Sequence, residues 1–241
     1  GFLAENASFA QTCADNGLVF VGPTPDSIGR LGDKALAKAL MAQAGLPIVP
    51  GSDGAVASAA EAAALATDMG YPVMLKASAG GGGRGMRLVE HPRDLERQFG
   101  AASAEAEAAF GCGDMYIEKA ISDPHHVEVQ VLGDGRGEVA VFAERDCSIQ
   151  RRHQKVLEET PSPLLGESIR ESIRHLAQQA CAAIDYASAG TVEFLVDAEQ
   201  HFYFMEMNTR VQVEHPVTEA VSGTDIVREQ LRVAAGEPMQ W

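Results

Sequence analysis

Gly190-Thr191-Val192-Glu193-Phe194-Leu195-Val196 and, after the polar break Asp197-Ala198-Glu199-Gln200, Phe202-Tyr203-Phe204-Met205-Glu206-Met207-Asn208 decide how this chain folds. Both arms are rich in aromatic and β-branched residues and the break has loop length, which predicts an antiparallel hairpin. Pairing Asp197 with Phe202 sets Glu193 opposite Glu206, and the two-residue strand period puts Asn208 on the face of Glu206. Facing carboxylates repel unless positive charge lies between them, and two carboxylates with an amide form an all-oxygen ligand set suited to Mg2+ or Mn2+. Magnesium leaves most of its positions to water or phosphate oxygens, so ATP is the expected companion. The continuation Thr209-Arg210-Val211-Gln212-Val213-Glu214-His215-Pro216 keeps the alternation and adds a cation, an amide and a further carboxylate along the same edge. The plainer alternative for Glu193 and Glu206 is a solvated hairpin face.

Working outward, the 241 residues, 46% hydrophobic and 22% charged, allow one or two globular domains with a sizeable core. No apolar run reaches the ~18 residues of a membrane span, and no signal-peptide pattern opens the chain. A cytoplasmic location is expected. A formal charge of -15 argues against non-specific nucleic-acid binding. Cys13, Cys112, Cys147 and Cys181 have no C-x-x-C spacing, so they read as reduced structural thiols rather than a zinc site or a disulfide framework.

In chain order, a helix is expected up to Asn16 with Gly17 as its stop, then a buried strand Leu18–Pro23, then one helix from about Pro25 to Ala44 with Gly32-Asp33-Lys34 inside it. Ser58-Ala59-Ala60-Glu61 is a capping pattern that starts a helix ending at Gly70. Strands at 71–76 and 86–89 flank a glycine loop. Gly80, Gly82 and Gly85 formally satisfy G-x-G-x-x-G, but the loop opens a strand rather than a helix, and no Gly-Lys-Ser/Thr follows. A loop whose backbone N–H groups close over phosphates remains, with Lys76 placed to reach one; an idle mobile hairpin is the alternative. A helix over 92–110, strands over 115–120, 126–132 and 138–143, an amphipathic helix over 166–184 and a closing helix over 225–235 complete the reading. Glu144 to Lys155 concentrates five basic residues in an acidic protein, which marks either an anion site or an ion-paired loop.

Asp33-Lys34, Leu75-Lys76-Ala77-Ser78 with its glycine loop, Glu118-Lys119, His126-Val127-Glu128, Glu144 through Ser148, Gln150-Arg151-Arg152-His153-Gln154-Lys155 and Glu206 through Pro216 together resemble biotin carboxylase over essentially the whole chain. This is the ATP-grasp component of the biotin-dependent carboxylases. The resemblance implies an α+β ATP-grasp fold: residues 1–47 as the remnant of an N-terminal α/β domain, 48–120 as a mobile ATP lid, and 121–241 as the catalytic subdomain. It implies ATP binding by Lys34, Lys76, Gly82, Gly83, Glu118, Lys119, His126, Gln150 and His153, and metal binding by Glu193, Glu206 and Asn208. Lys155, Arg210, Gln212 and Val213 would bind bicarbonate, with Glu214 as the base and Arg210 and Lys155 sharing the catalysis.

The implied reaction is phosphorylation of bicarbonate by ATP, followed by carboxylation of biotin on a carrier domain. A carboxyltransferase would be a further partner, and the family is usually dimeric. Two competitors are a carbamoyl-phosphate-forming ATP-grasp ligase and a nucleotide-binding module without full activity. The family has further residues on both sides of this segment, so an incomplete carboxylation centre is expected. Thr160 and Ser162 stand where the family often has alanines, a departure expected to be harmless.

Overall fold

The computed structural model describes residues 2–78, 85–152 and 154–241. The expectations for Gly82, Gly83 and His153 therefore lie outside the described residues. By contact the chain divides into two units: residues up to 48 with 123–150 and 155–241, and residues 49–122 with 151–154.

The first unit is built on a sheet of five strands: β4 (His125–Asp134), β5 (Val139–Arg151), β6 (Gln154–Glu159), β7 (Ala187–Val196) and β8 (Phe202–Asn208), in the order β6-β5-β4-β7-β8. β4 is the central strand and pairs antiparallel with both β5 and β7. Its alternation sends Val127, Val129 and Val131 into a core shared with Val192, Phe194 and Phe204 and with Ile173, Ala177 and Cys181 of α6 (Glu167–Ala183). Leu31 of α2 (Pro25–Gly32) and Met41 of α3 (Lys34–Gln43) close the same core. The other face carries Leu132, Ala140, Phe142 and Ala189 against Ile226 of α8 (Ile226–Ala234). Both faces of β4 are thus covered, which is how Glu128 and Gln130 come to be completely buried.

The second unit is smaller. β1 (Val73–Ala77) runs antiparallel between β2 (Met86–Val89) and β3 (Met115–Lys119). Val73, Leu75, Met115 and Ile117 pack on Ala62 and Ala66 of α4 (Ala59–Met69) and Ala102 and Ala106 of α5 (Leu95–Phe110). Alanines on the facing helices allow close approach to the sheet. Ser58 caps α4 by accepting from the Glu61 N–H, while Glu61 accepts in return from the Ala57 N–H at 2.7 Å.

Several local expectations are corrected. Residues 18–23 form no strand: Leu18 and Val19 are exposed, and none of the described strands supplies the ladder partner that such a backbone needs. The helix expected over 25–44 breaks in two at Asp33, whose carboxylate accepts from the N–H groups of Ala35 and Leu36 and so caps α3. Preceding it is α1 (Ala7–Asp15), capped by Asn6. The helix α7 (His215–Ser222) was not expected; Pro216 in its first turn fits that position. The basic segment is strand and hairpin rather than a loop. Thr160 Oγ donates to the Glu144 carbonyl and the buried Ser162 Oγ to Asp146, so both departures from alanine are satisfied. No helix among the described residues is long and apolar enough to cross a membrane.

Candidate active site

The β7–β8 hairpin does place Glu193 opposite Glu206, by a route that differs from the expected one. Val196, not Asp197, pairs with Phe202, and the register shifts between Glu193 and Phe194, leaving Met205 as the extra residue of a bulge. Beyond the bulge Thr191 faces Asn208. Glu193 is only 3% exposed, which excludes the solvated-face alternative for that residue; Glu206 is half-buried.

Positive charge does offset this pair, and it comes from two lysines. Lys34, the first residue of α3, brings its Nζ to 3.7 Å from Glu206. Lys155 Nζ lies 3.0 Å from Glu193 and 2.5 Å from Glu214, and it also binds Glu128. One ammonium therefore gathers three carboxylates from β4, β7 and the segment ahead of α7. Burial pulls the Lys155 ammonium down, but the charges of Glu128 and Glu193 and the hydrogen bonds to Glu128 and Glu214 outweigh it and hold the group well above the ordinary lysine range. It is a fixed cation at any physiological pH.

Its partners respond in kind. Burial raises the Glu193 carboxyl, but His126 and Lys155 beside it pull it down to about 2. Burial likewise opposes ionisation of Glu214, while the hydrogen bond and charge of Lys155 win and lower it. Both are carboxylates at neutral pH.

The remaining expected residues of this unit converge on the same place. His126 Nε2 stands 3.0 Å from Glu193, and its Nδ1 is 2.8 Å from Gln150 Nε2. Asn208 and Gln212 each donate a side-chain amide to Glu193 Oε1, at 2.8 and 2.9 Å. Arg210 donates to Asn208 Oδ1 at 3.1 Å and to Glu5 at 2.9 Å. The Val213 side chain is exposed. In the second unit Lys76 Nζ pairs with the buried Glu118 at 2.5 Å, and Lys119 donates to the Gly70 carbonyl at 2.9 Å.

Three participants escaped the sequence reading as site residues. Arg145 lies in the basic segment but is fully buried, with Nε 2.6 Å from Glu128, so it cannot serve an incoming anion. Glu128 was quoted in a motif of the resemblance but given no role of its own. Glu5 lies 205 positions from its partner Arg210, and no local pattern signals such a pairing. Cys147 is buried beside Glu128; burial first, and that charge second, push its thiol up, so it is protonated and unsuited to nucleophilic chemistry.

The donor set fits a hard cation. Glu193, Glu206 and the Asn208 amide offer oxygen ligands without a thiolate, the preference of Mg2+ or Mn2+.

Residues 33–241 match the family model "Carbamoyl-phosphate synthase L chain, ATP binding domain", and residues 1–28 match "Biotin carboxylase, N-terminal domain". A biotin carboxylase of Nostoc sp. is 56% identical over 100% of this chain and 54% of its own length. A crystal structure of a biotin carboxylase–βγ-ATP complex from Campylobacter jejuni superposes with a TM-score of 0.96 at 52% identity, covering 100% of this chain and 54% of that one. The biotin carboxylase domain dimer of the Hydrogenobacter thermophilus 2-oxoglutarate carboxylase, solved with MgADP, ADP and bicarbonate, gives 0.95 at 52% identity, covering 100% and 53%. The chain thus spans about half the length of the relatives it matches. The relatives named here are biotin carboxylases, not carbamoyl-phosphate-forming enzymes.

Proposed function

Because the chain belongs to the ATP-binding family of the carbamoyl-phosphate synthase L chain, on its biotin carboxylase branch and with the ATP-grasp fold, we propose that it performs the ATP- and bicarbonate-handling chemistry of biotin carboxylation. The observation that carries this reading is a fixed ammonium, Lys155, seated among the buried carboxylates Glu128, Glu193 and Glu214.

In this reading Lys34, His126 and Gln150 of the first unit contact the nucleotide. So do Lys76, Glu118 and Lys119 of the second, which would be the lid together with Gly82 and Gly83; His153 joins them. Glu193, Glu206 and Asn208 would hold Mg2+ or Mn2+, which when bound would neutralise phosphate charge. Lys155 and Arg210 anchor bicarbonate with the Gln212 amide and the backbone at Val213. Lys155 acts through charge alone, since its raised proton affinity disqualifies it as a base. Glu214, ionised and enclosed, accepts the proton of bicarbonate as its oxygen attacks the terminal phosphate of ATP. Carboxyphosphate forms and ADP departs; the enclosure of Glu193 and Glu214 limits hydrolysis of that labile product. Cleavage of the carboxyl C–O bond of carboxyphosphate passes the carboxyl group to the ureido nitrogen of biotin on a carrier domain, phosphate leaves with the N–H proton, and a carboxyltransferase would consume the carboxybiotin.

The test is ATP consumption by the full-length protein with and without bicarbonate, using free biotin as acceptor. Bicarbonate-dependent ADP release with formation of carboxybiotin is expected. Absence of any bicarbonate stimulation would overturn the proposal.

A further inference from the structure

Arg145 makes no contact that the proposed reaction requires, yet it is the largest completely buried side chain of the first unit and is wired into the site from beneath. Its guanidinium has five N–H donors and no acceptor, and five oxygens receive them. Nε donates to Glu128 Oε1 at 2.6 Å. Nη1 donates to Gln130 Oε1 at 2.9 Å and Thr218 Oγ1 at 2.8 Å. Nη2 donates to Thr191 Oγ1 at 3.4 Å and Gln212 Oε1 at 3.3 Å. The acceptors come from β4, β7, α7 and the segment before α7, so the guanidinium fixes four pieces of chain against one planar group.

Two consequences bear on the site. Glu128 gives one oxygen to Arg145 and the other to Lys155, so its rotamer, and with it the position of the lysine, is set from below. Gln212 is affected more specifically. A guanidinium can only donate, so Gln212 must present its carbonyl oxygen to Arg145. Its amino group is thereby turned the opposite way: one hydrogen goes to Glu193 Oε1 at 2.9 Å, and the second remains for an anion. Arg145 and the Glu193 carboxylate fix the amide from its two ends, and without Arg145 the Glu193 bond alone would hold the Gln212 N–H groups toward the anion.

We propose that Arg145 is a positioning residue for bicarbonate. Together with Glu193 it sets the donor polarity of the Gln212 amide and, through Glu128, it sets the placement of Lys155. This rests on the bicarbonate-handling reading above and adds to it the group that makes the anion subsite electropositive on its amide side.

The experiment compares the full-length wild type with Arg145→Lys and, as a milder second variant, Thr218→Val, which removes one acceptor and keeps the Glu128 pair. Arg145→Lys retains the buried charge but loses the planar fork that reaches Gln212. The bicarbonate KM should rise about tenfold or more, the worth of a hydrogen bond to a charged group, while the KM for ATP stays within about threefold on the same scale. Thr218→Val should shift bicarbonate KM in the same direction by less. A purely structural role would lower the active fraction instead, cutting kcat with both KM values unchanged.

The 15N relaxation of the Gln212 side-chain amide gives a readout that needs no turnover, its signal being assigned by loss in Gln212→Glu. It should be ordered in the wild type and measurably more mobile in Arg145→Lys, where only the Glu193 bond remains. A Gln212 amide equally ordered in the wild type and in Arg145→Lys, or an unchanged bicarbonate KM in Arg145→Lys, would overturn the inference. A wild type lacking bicarbonate-dependent activity would count against the functional reading alone, and the Gln212 relaxation would still decide the role of Arg145.

Discussion

The ammonium of Lys155 lies 2.5 Å from Glu214 Oε1 while also binding Glu128 and Glu193, so one side chain is shared by three buried carboxylates. Removing one partner of a buried ionic cluster leaves uncompensated charge and costs roughly 3–5 kcal/mol. Lys155→Met should lower the unfolding free energy of the metal-free protein, measured by urea denaturation, by that order and abolish bicarbonate-dependent turnover. A fully stable Lys155→Met protein would show that the cluster is not compensated by this lysine.

The same contact fixes a pH dependence. Glu214 in the folded protein lies below its ordinary carboxylate value, because Lys155 outweighs burial. A depressed folded value means that the unfolded chain binds more protons at acid pH. Its stabilising contribution is therefore present above the unfolded value of 4.5 and is lost as pH falls through the folded one. The metal-free wild type should lose stability steadily on acidification below about pH 5. Glu214→Gln should flatten that slope, as followed by urea denaturation at several pH values. An unchanged slope in the variant would remove Glu214 from the account.

How the site assembles shows what a sequence carries and what it does not. Glu193, Glu206 and Asn208 were legible because strand alternation is local, and the pairing of Glu193 with Glu206 followed from hairpin length. The predicted register at the turn was wrong by one residue, and the bulge at Met205 cancelled the error before it reached the site. Asp33 was read as helix interior, although its capping role is a local property that the residue type announces. Arg145 and Glu5 were not legible for another reason: each acts through a partner fixed by tertiary packing, 17 and 205 positions away. A buried arginine inside a segment rich in basic residues looks like its exposed neighbours until the strands are paired.

Glu214→Gln separates an enzyme from a nucleotide-binding module. The amide keeps the shape but cannot accept the bicarbonate proton, so turnover should fall by about 10²–10⁴, the contribution of a positioned acid or base. ATP affinity, measured by calorimetry, should change little, because the expected nucleotide contacts at Lys34, His126 and Gln150 do not involve Glu214. Equal turnover in the variant and wild type would remove Glu214 from the role of base.

Gly190 tests how far the site depends on close packing beneath it. A Cβ at this position would stand 2.5 Å from the Tyr186 hydroxyl, 2.8 Å from its ring carbon and 2.9 Å from Met207 Cε. Met207 can swing its terminal methyl aside, but Tyr186 is completely buried and its hydroxyl donates to the Ala189 carbonyl at 3.0 Å. The ring has nowhere to go, so β7 must shift. Gly190 also accepts from Gln130 at 2.9 Å and is followed by Thr191, two of the groups that meet around Arg145. Gly190→Ala should therefore destabilise by roughly 1–3 kcal/mol, the usual cost of overpacking. Combining it with Tyr186→Phe removes the atom in closest conflict but not the ring carbon. The double variant should be less destabilised than the sum of the two single changes, with part of the loss remaining. Strict additivity in urea denaturation would mean that the methyl group is accommodated elsewhere and that Tyr186 does not constrain the strand carrying Glu193.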